Sequence, residues 1–227
     1  MKLSAVIPAY NAEKRIPNTI RSIKKIKEIS EIVVADDGSA DRTSEISKKL
    51  GAKVVRLPVN KGKGAAMREG ARAAEGDLIV FIDDSQFEPS EIPILLNEMK
   101  KNKADMIVGK RNFDLIPWQR RITNSLTKLA ILMGTGKRIS DPLSGFRIMP
   151  KKAFESLNTK EDRYSIEADI NFRAILNRLK IIEHPVTVHY HSRSVLRASA
   201  LRSWRLVFFE SMFNVKTVLK IWLGLFR

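Results

Sequence analysis

Two carboxylates, Asp36 and Asp37, follow directly after the apolar run Ile32–Ala35. The run predicts a buried strand of a parallel α/β sheet, and ligand-binding groups lie at the carboxyl ends of such strands. A carboxylate at that edge can accept the N–H of a base or a ribose hydroxyl, and Gly38 permits a close approach of the backbone. Alternatively, these residues form only a turn that caps the next helix.

A second group of this kind follows the predicted strand Leu3–Ile7. Pro8 is expected to end the strand by removing a donor, Tyr10 offers a flat face on which a base can stack, and Asn11 turns the chain. Because the two predicted strands are neighbours along the chain, their ends together predict a nucleotide site at the carboxyl edge of the sheet.

The segments 6–11 and 33–43 resemble the opening of the family 2 inverting glycosyltransferases of the GT-A fold. Three later segments, 60–70, 141–147 and 164–169, resemble the dolichyl-phosphate mannose and glucose synthases of that family. The resemblance implies transfer of a hexose from GDP-mannose or UDP-glucose to dolichyl or another polyprenyl phosphate, with inversion of the anomeric carbon. A family 2 transferase that acts on a polysaccharide or a protein, or a catalytically weak lipid-binding partner subunit, is the alternative.

The same resemblance assigns roles to individual residues. For the donor nucleotide it implies contacts from Pro8, Tyr10, Glu13, Asp37, Lys63 and Asp83. For catalysis it implies Asp83, Asp141 and Arg147. Considered by themselves, Asp141 can accept a sugar hydroxyl and Arg147 can meet a phosphate, or this segment is an Asp-Pro turn followed by a strand.

The basic loop Lys61–Gly64 precedes a predicted helix, Ala65–Ala74. Glycines before a helix expose backbone N–H groups, and lysines add positive charge, so a diphosphate can rest there. A flexible basic turn is the alternative. The resemblance places this loop beside the donor nucleotide and favours Lys63.

A divalent cation is expected where the apolar run Leu78–Ile82 leads into Asp83 and Asp84. Mg²⁺ or Mn²⁺ held by such oxygens would neutralise the charge that develops on a departing diphosphate. The family motif has a second acid and a glutamine, and two alignments are open. One uses Asp83 with Ser85, whereas a slip by one residue uses Asp84 with Gln86, and we favour Asp84 and Gln86 as metal ligands. An acidic cap for the following helix is the alternative.

Three residues of the second half resemble the clamp that holds the lipid phosphate in the dolichyl-phosphate mannose synthases. Arg111 closes the predicted strand Met106–Lys110, while Arg121 and Ser125 share one face of a helix that starts at Pro117. Guanidinium groups match phosphate geometrically. A solvated basic face is the alternative. Because a lipid phosphate is already an anion near neutral pH, its attack needs no dedicated general base.

The alternation of strand-like and helix-like segments predicts an α/β fold, with a mostly parallel, Rossmann-like sheet of the GT-A type flanked by helices. The predicted helices include Pro17–Ile29 and, with Glu167 and Asp169 at its start, Ala168–Leu179. These two acids cannot share a helical face, so one is expected to contact sugar and the other to serve the structure. We assign residues 1–195 to one catalytic domain.

The formal net charge of +16 demands an anionic partner. No helix-turn-helix, RNA-recognition or zinc-finger motif accompanies it, so we expect no nucleic acid but instead phosphorylated substrates and a membrane surface. Residues 196–227 are basic and amphipathic and predict interfacial helices, with a core helix or dimer contact as the alternative. With no cysteine and no signal-like start, the chain is expected at the cytoplasmic face of the membrane as a peripheral protein.

Overall fold

The computed structural model describes residues 2–84, 86–116, 118–162 and 166–188. The predicted domain boundary at residue 195 and the predicted membrane-associating segment 196–227 therefore lie outside the described residues. Strands and helices alternate along the first half, as the sequence predicts. The strands are β1 Leu3–Ala9, β2 Ile29–Asp36, β3 Lys53–Arg56, β4 Leu78–Phe81, β5 Met106–Arg111, β6 Arg147–Pro150 and β7 Ile181–Val186. The helices are α1 Ile16–Ile23, α2 Thr43–Lys49, α3 Lys63–Ala73, α4 Ile92–Lys101, α5 Trp118–Thr135, α6 Lys151–Ser156 and α7 Ile166–Leu176.

Within the described residues the strands form one seven-stranded sheet in the order β3-β2-β1-β4-β6-β5-β7. β1 pairs in parallel with β2 on one side and with β4 on the other, so that Val6 lies opposite both Val33 and Phe81. The chain thus builds outward from β1 in one direction and then in the other, which opens a crevice at the carboxyl ends of β1 and β4. β6 is antiparallel to both β4 and β5, and β7 is parallel to β5.

Each face of the sheet has its own apolar core. Because successive side chains of a strand point to opposite faces, Ala5 and Ile7 of β1 pack in the core that holds α1 and α4, whereas Val6 packs with Met67 of α3. A smaller cluster that includes Phe172 joins α5 to α7. The predicted mostly parallel sheet flanked by helices is confirmed.

The ends of α1 and β1 differ from the sequence predictions. The predicted helix Pro17–Ile29 ends at Ile23, because Ile26 is buried in the following turn and Ile29 pairs with Leu3 in the sheet. Long-range pairing here overrides a helical spacing of isoleucines.

Pro8 does not end β1, since the strand continues to Ala9 and Pro8 lies opposite Ala35 of β2. In a parallel ladder, alternate residues bond to alternate neighbours. The carbonyl of Ala9 faces β2 and that of Val6 faces β4, so the missing donor of Pro8 faces the β4 side, where pairing stops at Val6. Its loss therefore costs no hydrogen bond of the sheet.

Candidate active site

The ammonium group of Lys63 lies between two carboxylates at the carboxyl edge of the sheet. Its Nζ is 2.6 Å from Oδ1 of Asp83 and 2.5 Å from Oε1 of Glu167. The side chains of Lys63, Asp83 and Glu167 keep only 15%, 17% and 5% of their exposure. Asp83 follows β4 and Glu167 belongs to the first turn of α7, so the tertiary structure joins three distant segments.

Asp37 fixes the loop that presents Lys63. Its carboxylate accepts the backbone N–H of Lys61 and that of Gly62, each at 2.8 Å. Gly62 has a φ of 104°, a conformation that residues with a Cβ rarely adopt, and α3 then begins at Lys63, two residues before the predicted start. The nucleotide contact of Asp37 stays a prediction, and its observed partners are the amides of this loop.

Arg147 adds a second buried cation to the cluster. The side chain is fully buried, its Nη2 donates to the carbonyl of Ser144, and its Nη1 donates to the carbonyl of Glu167 at 3.4 Å. Its Nε has no hydrogen-bond partner among the described residues. A buried guanidinium of this kind is tolerated only because carboxylates lie near it.

Gly145 leaves the space that the carboxylate of Asp83 occupies. A Cβ built on Gly145 would lie 2.5 Å from Oδ2 of Asp83, closer than any real contact of this kind. A side chain at position 145 would therefore displace Asp83 or shift the loop.

Opposing effects set the protonation of the two cations. Burial by itself would lower the pKa of Lys63, but the charges of Asp83 and Glu167 and their hydrogen bonds outweigh it and hold that pKa above the ordinary 10.5. Burial lowers the pKa of Arg147, although Glu167, Asp83 and Asp141 oppose the effect. Lys63 is consequently a fixed positive charge at every physiological pH.

Asp84 contacts α1 and the turn before it. Its Oδ2 accepts from Nε and Nη2 of Arg15 at 3.0 and 2.7 Å, and its carbonyl accepts from the hydroxyl of Thr19 at 2.5 Å. The structure thus separates the two acids: Asp83 belongs to the Lys63 cluster, and Asp84 forms an ion pair with Arg15, just before α1. Ser85, the other candidate of this motif, lies outside the described residues.

The oxygen donors near this turn fit a divalent cation bound together with a diphosphate. Among the described residues, no group of three or more His, Cys, Asp or Glu could hold a metal by itself. Mg²⁺ at a nucleotide needs only one or two protein ligands, because phosphates and water supply the rest. Asp84 and the partly buried Gln86 offer such oxygens. Arg15 competes weakly for Asp84, since its side chain is 45% exposed and exposed ion pairs stabilise little.

Asp141 is a fully buried acceptor that ties three elements together. It accepts from the backbone N–H, Nε and Nη2 of Arg111 at 3.0, 2.7 and 2.7 Å, and from Asn124 of α5 at 3.3 Å. Its own N–H donates to Glu183 of β7 at 2.8 Å. The predicted sugar acceptor and the predicted phosphate-binding arginine are thus each other's partners in this structure.

Arg121 and Ser125 lie exposed on α5, as the shared helical face predicts. The guanidinium of Arg121 donates to the carbonyls of Ile116 and Asp114 at 2.8 and 2.9 Å, which holds the turn between β5 and α5. Asn124, the neighbour of Ser125, donates to the carboxylate of Asp141, which also accepts from Arg111. The structure thus brings α5 close to the end of β5.

The remaining donor candidates surround the end of β1. Tyr10 is 48% exposed there, which leaves its ring accessible to a base. Glu13 accepts the backbone N–H of Arg42 at 3.2 Å and thereby joins the segment after β1 to the start of α2. Asp36 is fully buried and bonded to the N–H of Ser39 at 2.8 Å, so it shapes the turn after β2.

The sequence analysis did not predict several residues that contact the site. They are Arg15 on Asp84, Asn124 on Asp141 and Glu183 on the backbone of Asp141. Glu183 stands within an apolar strand, and this isolated acid was the one available clue. Of the two acids at the start of α7, Asp169 pairs with Arg173 at 2.5 Å within the helix and Glu167 pairs with Lys63, and which of them contacts sugar stays a prediction.

Comparison with known proteins identifies relatives over most of the chain. The model of the family described as "Glycosyl transferase family 2" matches residues 4–158. An uncharacterized protein of Methanocaldococcus jannaschii is 34% identical over 209 residues, which cover 84% of this chain and 90% of that protein.

Two named relatives transfer sugars to dolichyl phosphate according to their names. A dolichol-phosphate mannosyltransferase of Pyrococcus furiosus is 32% identical over 85% of this chain, which spans only 58% of that longer protein. A UDP-N-acetylglucosamine–dolichyl-phosphate N-acetylglucosaminyltransferase of Methanococcus voltae is 28% identical over 86% of this chain and 88% of its own length.

Among solved structures, glucosyl-3-phosphoglycerate synthase of Mycobacterium tuberculosis, in complex with phosphoglyceric acid, has a TM-score of 0.77. The match covers 96% of this chain and 79% of that protein at 23% identity. Similarity at this level of identity concerns the fold, and it confirms the predicted GT-A fold. A crystal structure of the same synthase with Mn²⁺, UDP and glucosyl-3-phosphoglycerate superposes with a TM-score of 0.76 at 24% identity.

Proposed function

Because this chain belongs to glycosyl transferase family 2, we propose that it moves a hexose from a nucleotide sugar to dolichyl or another polyprenyl phosphate. The chain is a glycosyltransferase enzyme with the GT-A fold. A lipid phosphate as the acceptor substrate is supported chiefly by the similarity to the dolichyl-phosphate transferase of Methanococcus voltae, because the match spans nearly all of both chains.

The donor would lie across the carboxyl ends of β1, β2 and β4. Tyr10 would stack on the base and Asp37 would accept from the base or ribose, with Pro8 and Glu13 bordering that pocket. Lys63 and Arg147 would face the diphosphate, because both are buried cations near the carboxyl end of β4. Asp83 would meet the sugar or diphosphate from its position beside Lys63.

Mg²⁺ or Mn²⁺ would be held by Asp84 and Gln86 together with the donor phosphates. When bound, the cation supplies charge neutralisation for the leaving nucleoside diphosphate. Asp83 would keep its partner Lys63, since a buried ion pair is costly to break, whereas Asp84 would exchange the exposed Arg15 for the metal.

The transfer itself would be a single displacement. An oxygen of the lipid phosphate forms the bond to the anomeric carbon as the bond from that carbon to the donor β-phosphate oxygen breaks, and the configuration inverts. The attacking oxygen is already anionic, so positioning and charge stabilisation supply the catalysis. Lys63 and Arg147 would stabilise the charge that leaves on the nucleoside diphosphate.

Arg111, Arg121 and Ser125 would bind the acceptor phosphate. Arg111 would act from the end of β5, where Asp141 fixes its guanidinium plane through two hydrogen bonds of 2.7 Å. Arg121 and Ser125 would act from α5. In this arrangement Asp141 would be a positioning residue for Arg111, in addition to its predicted sugar contact.

Residues 196–227 would hold the enzyme at the cytoplasmic face of an anionic membrane. Among the described residues, no helix is long and apolar enough to cross a bilayer. The lipid-phosphate acceptor would reach the site from that surface.

The deciding experiment offers the purified protein GDP-mannose, UDP-glucose and UDP-N-acetylglucosamine in turn, each with dolichyl phosphate in detergent and Mn²⁺. Radiolabel is then counted in the lipid phase. We expect one donor to label the lipid well above the others, and Lys63→Met to abolish the labelling. Transfer only to a water-soluble phosphorylated acceptor, or no transfer to lipid from any donor, would contradict the proposal.

A further inference from the structure

Lys128 of α5 is a partly buried cation that lies on an aromatic ring. Its Nζ is 4.0 Å from the centre of the Phe113 ring, and burial lowers its pKa. Within the residues that the structure describes, Lys128 forms no ion pair. An aromatic face compensates an ammonium group only in part for the water that it loses. Lys128 therefore offers a charge that an anionic ligand can neutralise.

The position of Lys128 on α5 brings it to the proposed acceptor residues. Spacings of four and three residues place Arg121, Ser125 and Lys128 within about 60° of the helix circumference. Side chains of a helix tilt toward its N-terminus, so the long side chain of Lys128 extends toward the turn that holds Ser125. The three side chains thus follow one another along one side of α5.

The ring beneath Lys128 belongs to the segment that leaves β5. Phe113 follows Arg111 by two residues, so the contact of Lys128 with Phe113 joins α5 to the end of β5. One turn before Lys128, Asn124 donates to Asp141 at 3.3 Å, and Asp141 holds the guanidinium of Arg111. Two contacts, one turn apart, therefore fix the same side of α5 against the end of β5 that carries Arg111.

The two carboxylates whose charges act on Lys128 both have other partners. The charges of Asp141 and Glu183 oppose the effect of burial on the pKa of Lys128, whereas those of Lys110 and Arg111 reinforce it. Asp141 already pairs with Arg111 at 2.7 Å, and Glu183 accepts two backbone N–H groups of the loop that holds Asp141. An anion that binds between β5 and α5 would therefore meet in Lys128 a cation that is not yet neutralised.

We propose that Lys128 is a third cationic ligand of the acceptor phosphate, beside Arg111 and Arg121, and that it selects phosphomonoesters over phosphodiesters. This assignment deepens the proposed function and rests on it for the lipid acceptor. A phosphomonoester carries close to two negative charges near neutral pH, whereas a diester carries one. The two arginines match the oxygens of a phosphate geometrically, and the ammonium group of Lys128 adds a point charge that favours the dianion.

The same cation would distinguish the substrate from the product. In the proposed transfer an oxygen of the lipid phosphate forms the bond to the anomeric carbon and the nucleoside diphosphate leaves, so the lipid monoester becomes a diester. The lipid phosphate thereby has one negative charge fewer near Lys128. A site that binds the dianion more tightly than the monoanion holds the acceptor before transfer and holds the product less tightly afterwards.

The first experiment measures phosphate binding without any donor. Calorimetry on the full chain compares farnesyl phosphate, its methyl diester and inorganic phosphate, with both lipids kept below their micelle concentrations. We expect the wild type to bind the monoester about tenfold or more tightly than the diester, and Lys128→Met to remove most of that preference. Lys137→Met, which removes an exposed lysine beyond the end of α5, should leave both affinities unchanged.

Three results would overturn the proposal: no binding of farnesyl phosphate, an unchanged preference in Lys128→Met, or equal losses in the two variants. Inorganic phosphate that binds as tightly as farnesyl phosphate would overturn the lipid as the source of the monoester. The free energy of unfolding of Lys128→Met should match the wild type, because methionine keeps an apolar stem on Phe113. Lys128→Gln is a second neutral variant, and a glutamine variant that retained the preference would contradict the role of the charge.

The second experiment measures transfer to dolichyl phosphate in detergent at varied lipid concentration. We expect Lys128→Met to raise the KM for the lipid about tenfold while the Kd of the donor stays unchanged, and Lys128→Arg to recover most of the loss because it keeps the charge. An equal rise in the Kd of the donor would contradict the assignment to the acceptor. If farnesyl phosphate binds through Lys128 but no donor labels the lipid, the proposed function fails while the phosphate site stands, so the two failures are distinguishable.

Discussion

Asp141 accepts two hydrogen bonds of 2.7 Å from the guanidinium of Arg111, and both side chains are buried. The pair fixes the plane of a cation at the end of β5, and the same carboxylate contacts Asn124 of α5. Arg111 therefore has a structural role, in addition to its proposed role of binding the acceptor phosphate. The two arginines of the proposed clamp should therefore respond differently to substitution.

We expect Arg111→Ala to lower the free energy of unfolding by about 3–5 kcal/mol, because it leaves the carboxylate of Asp141 buried without its partner. Arg121→Ala should cost less than about 1 kcal/mol, since its guanidinium is exposed, but should raise the KM for dolichyl phosphate about tenfold or more. Urea unfolding and transfer assays at varied lipid concentration measure both effects.

Arg120→Ala serves as the control for Arg121, because it removes the same charge one residue away on the exposed side of α5. Equal KM changes in the two variants would show that only the general positive charge matters. Arg121→Lys should recover part of the loss, because lysine keeps the charge and lacks the fork.

Lys63→Met should destabilise the protein by about 3 kcal/mol at neutral pH, since it leaves Asp83 and Glu167 without their shared cation. The deficit in the free energy of unfolding, relative to wild type, should decrease as pH rises. A lysine whose folded pKa exceeds the ordinary 10.5 contributes stability that is fully present below that pH and lost as pH rises above it.

Urea unfolding of the wild type and Lys63→Met between pH 8 and pH 11.5 should thus show a gap that narrows above about 10.5. Lys61→Met, on the exposed neighbour, should show neither the deficit nor the narrowing. A gap that stays constant throughout this range would contradict the coupling of Lys63 to its carboxylates.

Asp37→Ala should weaken nucleotide binding by two routes, the lost contact to the base or ribose and the release of the loop before α3. The variant loses two acceptors of backbone N–H groups at 2.8 Å, and hydrogen bonds to a charged group are worth about 1.5–3 kcal/mol each. Calorimetry with GDP and UDP should show at least a tenfold rise in Kd. Unchanged affinity would remove Asp37 from the donor site.

Asp84→Asn should raise the Mn²⁺ concentration needed for half-maximal turnover about tenfold or more, because a neutral amide holds a hard cation less well than a carboxylate. Asp83→Asn should lower turnover at every metal concentration while leaving that requirement nearly unchanged, since Asp83 is paired with Lys63. Metal titrations of both variants and of Arg15→Ala distinguish Asp84 from Asp83 as the metal ligand. If Asp83→Asn instead raised the Mn²⁺ requirement and Asp84→Asn did not, Asp83 would be the metal ligand.

The sequence by itself determined the family, the alternating α/β fold and the edge of the sheet at which the donor residues gather. Short stretches of sequence suffice to predict these features. An apolar run that ends in Asp36 and Asp37, or in Asp83, indicates both a strand and the position of its carboxyl end. The position of Asp37 after β2 follows the same logic, whereas Lys63, predicted in the loop before the helix, is the first residue of α3. The extent of α1 and the role of Pro8 in β1 were predicted wrongly, since both depend on pairing with other strands.

Tertiary structure alone decided which charges became partners and which apolar surface stayed open. Lys63 meets Glu167 across about a hundred residues of sequence, Asp84 meets Arg15, and Asp141 meets Arg111, and no local spacing encodes such contacts. The spacing of apolar residues in α5 predicts that the helix has an apolar face, but it does not predict whether other parts of the protein cover that face. That choice depends on the packing of α5 against α7 through Ile131 and Phe172, which turns the face from Trp118 to Met133 outward.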